Sequence, residues 1–299
     1  MVQSAEVIEQ ELERVAKMVG IPPCPAILAD LSAEVKKPEP DFHHIERLFC
    51  SDVALAAALV QTINSPFCGF PNKAATVVQA VNSIGLNALS RVVASMALRN
   101  TFDGIRTISM ERFNDASAKV ALASAYLAQE LRVSNRDEAY TYGLFQDCGI
   151  PVLMARYPDY KATLGVANKT ADRKFTAIED NAYATNHAVV GCLMAKNWGL
   201  QDNITEAIRY HHEYAMLGSQ DIATASQHLI GLGLMAERAI QLDTGLNNSM
   251  EWSKGGAVVL DMFKLTQAEF ERLVEGVSEV FELEGLSCRH VLDDNLTLQ

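Results

Sequence analysis

Helical periodicity runs along almost the whole of this 299-residue chain, and it confines the fold more tightly than any other feature. Ile8, Leu12, Val15 and Val19 recur at the spacing of one helix face. Near the other end, Phe270, Leu273, Val274, Val277 and Phe281 repeat the pattern. No stretch sustains the alternation of a half-buried strand. The helices are short because punctuation is frequent. Residues 21–25 read IPPCP and break the first helix, and Pro25 suits the first turn of the next, where a missing N–H costs little. Pro38 and Pro40 stop that second helix, and Asp41 is the expected cap of a third. Thr76 with Gln79, Thr176 with Glu179, and Thr266 with Glu269 have capping-box spacing, while Asp137 and Asp202 are expected single caps. Residues 64–71 (NSPFCGFP) form a turn-rich interruption, and residues 101–110 a connector. The expectation is an all-α chain in two helical subdomains, 1–100 and 101–214, followed by a helical C-terminal extension over 215–299.

Charge and composition remove several functions. Lys plus Arg total 25 against 37 Asp plus Glu, so the net charge of −12 argues against general nucleic-acid binding or an anionic membrane as partner. With 49% hydrophobic and 21% charged residues, the chain has the composition of a packed core rather than of disorder. No apolar run approaches the ~18 residues of a membrane helix. The start, MVQSAEVIEQELER, lacks the basic region and apolar core of a secretory signal. Cys24, Cys50, Cys68, Cys148, Cys192 and Cys288 are scattered with no CxxC pair, so reduced thiols and a cytoplasmic location are expected.

Histidine placement is the best chemical signal. GxGxxG, GK[ST] and GxSxG are absent. His187 opens one expected helix, and His211 and His212 close the next, after a short turn. If the two helices run antiparallel, His187 lies beside His211 or His212. Adjacent helical residues point ~100° apart, so only one of that pair is expected to face a given site. Asp147, after the stretch GLFQ, can bring a carboxylate to the same place. An Asp with two His is a partial metal shell, and a metal-activated water can attack a phosphoester. On spacing alone the favoured reading is a capping or solvated Asp, and a His placed favourably at a helix C-terminus. Cys148 has no base placed for it and reads as a buried thiol.

These residues resemble the HDOD domain, a bacterial relative of the HD phosphohydrolase superfamily. The resemblance starts at IPPCPAILADL and runs through SDVALAAALVQTINSPFCGFP and VQAVNSIGLNALSRVV. It resumes at AYTYGLFQDCGIPVL and TAIEDNAYATNHAVVGCLMAKNWGL and ends at ITEAIRYHHEY, spanning residues of about 21–214. It implies that the second subdomain is HD-like. It also implies degenerate metal positions: the His of the family's His-Asp pair reads Gln146, the upstream His reads Ala116, and the late Asp falls near Gly231. Asp147, His187, His211 and His212 remain as a degenerate set, and the first metal position keeps Asp147 alone. A neutral amide is a poor metal ligand beside imidazole or carboxylate. The resemblance therefore implies a bacterial signal-transduction protein that is regulatory and non-catalytic, acting by binding a signalling protein or a small nucleotide-like ligand. No cofactor is expected beyond a weakly bound divalent metal. The alternative is a metal-dependent phosphohydrolase acting on a nucleotide or other phosphoester.

Overall fold

The computed structural model describes residues 5–51, 53–65, 73–102, 110–246 and 249–286. Among them there is no strand, and the all-α expectation holds. Most of the expected turn over 64–71 and of the connector over 101–110, together with Cys68 and Cys288, lies outside the described residues. The chain divides into two compact units: Pro23–Gly104 with Asn197–Gly199 form the smaller, and Met1–Pro22, Ile105–Lys196 and Leu200–Gln299 the larger.

Helix α1 (Ala5–Val19) belongs to the larger unit. The smaller unit is built from α2 (Ala26–Val35), α3 (Phe42–Cys50), α4 (Val53–Ile63), α5 (Val77–Ile84) and α6 (Leu86–Phe102). Its termini are set locally. Asp41 caps α3 by accepting from the His44 N–H at 3.1 Å. Thr76 caps α5 by accepting from the Gln79 N–H at 3.2 Å, while the Gln79 side chain accepts from Ala75 rather than closing a full box. Gly85 ends α5 at φ 80°, a conformation that costs glycine little. Leu31, Ile45, Phe49, Leu59, Val81 and Leu89 are buried in this unit.

The larger unit continues with α7 (Met110–Leu131), α8 (Arg136–Phe145), α9 (Gly149–Arg156), α10 (Tyr160–Lys169), α11 (Phe175–Tyr183), α12 (His187–Asn197) and α13 (Asp202–Tyr210). After a 3-10 turn at Tyr214–Met216 come α14 (Thr224–Thr244), α15 (Glu251–Met262) and α16 (Gln267–Leu283). Close helix approach is bought with missing side chains. A Cβ at Gly143 would stand 2.8 Å from the Val120 carbonyl oxygen, so α8 lies directly on α7. A Cβ at Gly149 would collide with the His187 carbonyl and stand 2.8 Å from the Gly191 nitrogen, so α9 begins against the start of α12.

Thr266 and Glu269 form the full capping box expected for α16. Three other expected caps differ. Asn135, not Asp137, caps α8, accepting from the Asp137 N–H at 2.7 Å; Asp137 and Glu138 then sit in the first turn, where the helix dipole favours acids. Gln201 precedes α13, leaving Asp202 in its first turn. Helix α11 starts at Phe175, so Thr176 and Glu179 lie inside it. The cause is tertiary: Phe175 is buried, and burying it starts the helix early and turns Glu179 inward. None of the described helices is long and apolar enough to cross a membrane.

Candidate metal centre

Four side chains from three places converge in the larger unit. Asp147 follows α8 in the short turn before α9, His187 is the first residue of α12, and His211 and His212 follow α13. His187 Nε2 lies 3.1 Å from His211 Nε2 and 3.1 Å from His212 Nε2. Asp147 Oδ1 lies 3.5 Å from His187 Nε2 and 3.7 Å from His211 Nε2. The three imidazoles offer ligand atoms that all fall within 4.8 Å of one another. His187 is fully buried, whereas the Asp147 side chain keeps 31% of its surface and opens the cluster to solvent.

The far side of each ring is held by an acceptor. His187 Nδ1 donates to Glu179 Oε2 at 2.7 Å, His212 Nδ1 to Glu251 Oε2 at 2.7 Å, and His211 Nδ1 to the Ile208 carbonyl at 2.8 Å. Carboxylates and a carbonyl only accept here, so the protons sit on Nδ1 and the Nε2 lone pairs face one another. Neutral rings in that arrangement repel unless a proton or a cation lies between them. This is the donor set of a divalent-ion site: convergent imidazole nitrogens, one carboxylate, and second partners that fix each ring. The residues present therefore fit a metal.

The supporting carboxylates are themselves held. Glu179 accepts from Tyr160 Oη and from the His187 backbone N–H at 3.3 Å. Glu251 accepts from Tyr214 Oη at 2.8 Å and from Lys254 Nζ at 2.6 Å. Phe175 stacks on His212 with centroids 4.5 Å apart and planes within 4°, fixing that ring from its face. Burial pushes Glu251 up, but the His212 and Lys254 hydrogen bonds outweigh it and bring its pKa to about 2. Burial and His211 push His212 down to about 4. Burial opposes charge on His187, yet Glu179, Asp147 and Glu251 together hold its pKa above the ordinary value. Asp147 is likewise held below the carboxylate range, burial being outweighed by the His211 hydrogen bond and the charge of the neighbouring rings.

Both His211 and His212 reach the cluster, where helical geometry allowed only one. The reason is that α13 ends at Tyr210 and the chain turns at His211 and His212, so the ~100° step between helical neighbours no longer applies. Gln146 is buried beside Asp147 and donates to Glu237 Oε1 at 2.5 Å. Ala116 is exposed on α7, one residue before the buried Ser117. Gly231 faces Met262 and Phe263; the residues of α14 that face Gln146 are Gly233 and Glu237. His228 Nδ1 donates to the Val133 carbonyl oxygen at 2.8 Å. Cys148 is a buried thiol whose pKa burial pushes up. Sequence reasoning missed Glu179, Glu237 and Glu251. Glu179 carried a signal, an acid eight residues before His187, but its spacing from Thr176 matched a capping box.

Fold and cluster together define an all-helical protein of HD-like architecture with a histidine-rich candidate metal centre. Comparison with protein families matches the HDOD domain over residues 21–214, and the chain belongs to that family. A curated protein of Treponema pallidum (strain Nichols), described as uncharacterized, is 25% identical over 196 residues, covering 64% of this chain but 37% of that protein. The chain thus spans little more than a third of that relative. A crystal structure of a candidate phosphohydrolase from Shewanella amazonensis SB2B superposes with a TM-score of 0.69 at 17% identity, covering 95% of this chain and 97% of the other. A candidate signal transduction protein from Marinobacter aquaeolei VT8 gives 0.64 at 21% identity, covering 94% and 65%. At these identities the structural likeness establishes the fold.

Proposed function

We propose that this chain is a regulatory signalling protein that retains one divalent-ion centre, held by Asp147, His187, His211 and His212, and that it acts by engaging a signalling protein or a small nucleotide-like ligand. The observation that carries the reading is the convergence of three Nε2 lone pairs whose Nδ1 atoms are already satisfied. A preorganised nest of this kind is costly unless a proton or a cation lies within it. Gln146 and Ala116, where the resemblance expects histidines, argue against a second ion. The likeness to a candidate signal transduction protein supports the regulatory part.

A second reading, a metal-dependent phosphohydrolase, is favoured by one feature. Asp147 is solvent-accessible while the histidines are buried, which leaves the cluster approachable from one side. A divalent ion there supplies positive charge to a phosphoester oxygen. Asp147 and the three histidines would hold it, and Glu179 and Glu251 would keep the imidazoles oriented with their Nε2 atoms inward.

Titration of metal-free protein with cobalt(II), followed by its visible spectrum, tests both readings. One ion per chain, lost in His187→Ala, is expected. Bis(p-nitrophenyl) phosphate should be left intact by the loaded protein. Turnover that His187→Ala or Asp147→Ala abolishes would promote the phosphohydrolase, and failure to take up cobalt would overturn the metal centre.

A further inference from the structure

Gln146 lies between two carboxylates that are far apart in sequence. Its Nε2 is 2.5 Å from Glu237 Oε1 and 3.4 Å from Asp147 Oδ2. The amide orientation is set by Asp147, whose ionised carboxylate would repel an amide oxygen turned toward it. The other end of the same amide has its own place: a Cβ at residue 233 would stand 2.5 Å from Gln146 Oε1, and glycine occupies that position. Gly233 and Glu237 are four residues apart on α14 and so share one face. Glycine is a poorer helix former than alanine, and here its missing side chain makes room for the amide. Asp147 then uses its two oxygens differently, Oδ2 toward Gln146 and Oδ1 toward His187 and His211.

We propose that Glu237 is a positioning residue for the metal centre, acting through Gln146 to fix the carboxylate plane of Asp147. The amide nitrogen carries two N–H groups and bridges the two acids. Glu237 anchors the amide, and the amide's second hydrogen keeps Asp147 Oδ2 occupied so that Oδ1 stays aimed at the imidazoles. This deepens the metal-centre reading and rests on it.

Cobalt(II) affinity and the resonances of the Gln146 side-chain amide test the inference together. Glu237→Ala and Gln146→Met should each weaken cobalt binding about tenfold, the size of effect seen when a ligand loses its outer partner. The double variant should be no weaker than the worse single one, because both break the same chain of contacts. Glu237→Gln, whose amide oxygen still accepts from Gln146, should keep near wild-type affinity; this rescue separates positioning from loss of packing. Additive losses, or a Glu237→Gln variant as weak as Glu237→Ala, would overturn the inference. In metal-free protein the Gln146 amide resonances should shift in both Glu237→Ala and Asp147→Ala. A response to only one of them would mean that no bridge exists. If wild-type protein takes up no cobalt, the metal centre falls, and the amide resonances still decide the bridge.

Discussion

Glu34 in the smaller unit and Glu251 in the larger are both 2% exposed, and each accepts from a lysine three residues ahead. There the likeness ends. Glu34 completes its shell with the backbone N–H of Asp41, seven residues away, at 2.6 Å. Glu251 completes its shell with His212 and Tyr214, 39 and 37 residues away. The first carboxylate ties a helix end to the start of the next. The second reaches across the fold to orient an imidazole. A buried acid with neighbours only in its own stretch of chain is a joint, and one that recruits distant donors belongs to a site.

The largest break in this comparison should come from Glu251→Ala. It leaves the His212 Nδ1–H and the Tyr214 hydroxyl without their acceptor, at a cost of about 3 kcal/mol. Urea denaturation measures that loss, and cobalt(II) titration should show weakened binding as well. Glu34→Ala should cost less than Glu251→Ala and leave cobalt affinity unchanged; equal costs would erase the distinction. Next in size, Glu179→Gln should weaken cobalt binding by about ten- to a hundredfold, because His187 loses the carboxylate that orients it.

A smaller effect concerns pH. Burial, Asp147 and Glu251 raise the pKa of Glu237 from 4.5 to about 8, against the Gln146 hydrogen bond and His187. Between those values the folded state binds a proton that the unfolded state has released. This contribution to stability is present below about pH 4.5 and is lost as pH rises toward about 8. Glu237→Gln should flatten that part of the stability profile in denaturation series across the range. A wild-type profile that already lacks the decline would show that Glu237 ionises normally. The smallest expected effect is Thr76→Ala, which removes the cap of α5 at a cost of about 1 kcal/mol without changing cobalt affinity.

The same contrast explains what could be read in advance. Caps such as Asp41, Thr76 and the Thr266–Glu269 box depend on residues within one turn, so spacing finds them. His187 and one of His211 and His212 were legible because a short turn joins two helices and places one's start near the other's end. That both would reach the cluster was excluded by a helical rule that stops where α13 stops. Glu179 was hidden behind Thr176, since identical spacing serves a cap outside the helix and a buried acid inside it. Glu237 lies 91 residues from Gln146, and no local pattern links them. Gly231, the expected place of the late Asp, faces Met262 and Phe263, whereas Gly233 faces Gln146. Two residues along α14 turn the face by ~200°, from Gly233 beside Gln146 to Gly231 beside Phe263.

Gly149 carries no functional group, yet α9 can begin against α12 only because that position is bare. Asp147 lies two residues before it and His187 is the very residue whose carbonyl it touches. Any side chain introduced there must move one ligand relative to the other. A saturation screen for ion uptake would therefore return Gly149 among its most intolerant positions, alongside the proposed ligands. A substitution at Gly149 is therefore expected to disturb the proposed centre while Asp147, His187, His211 and His212 all remain in the sequence.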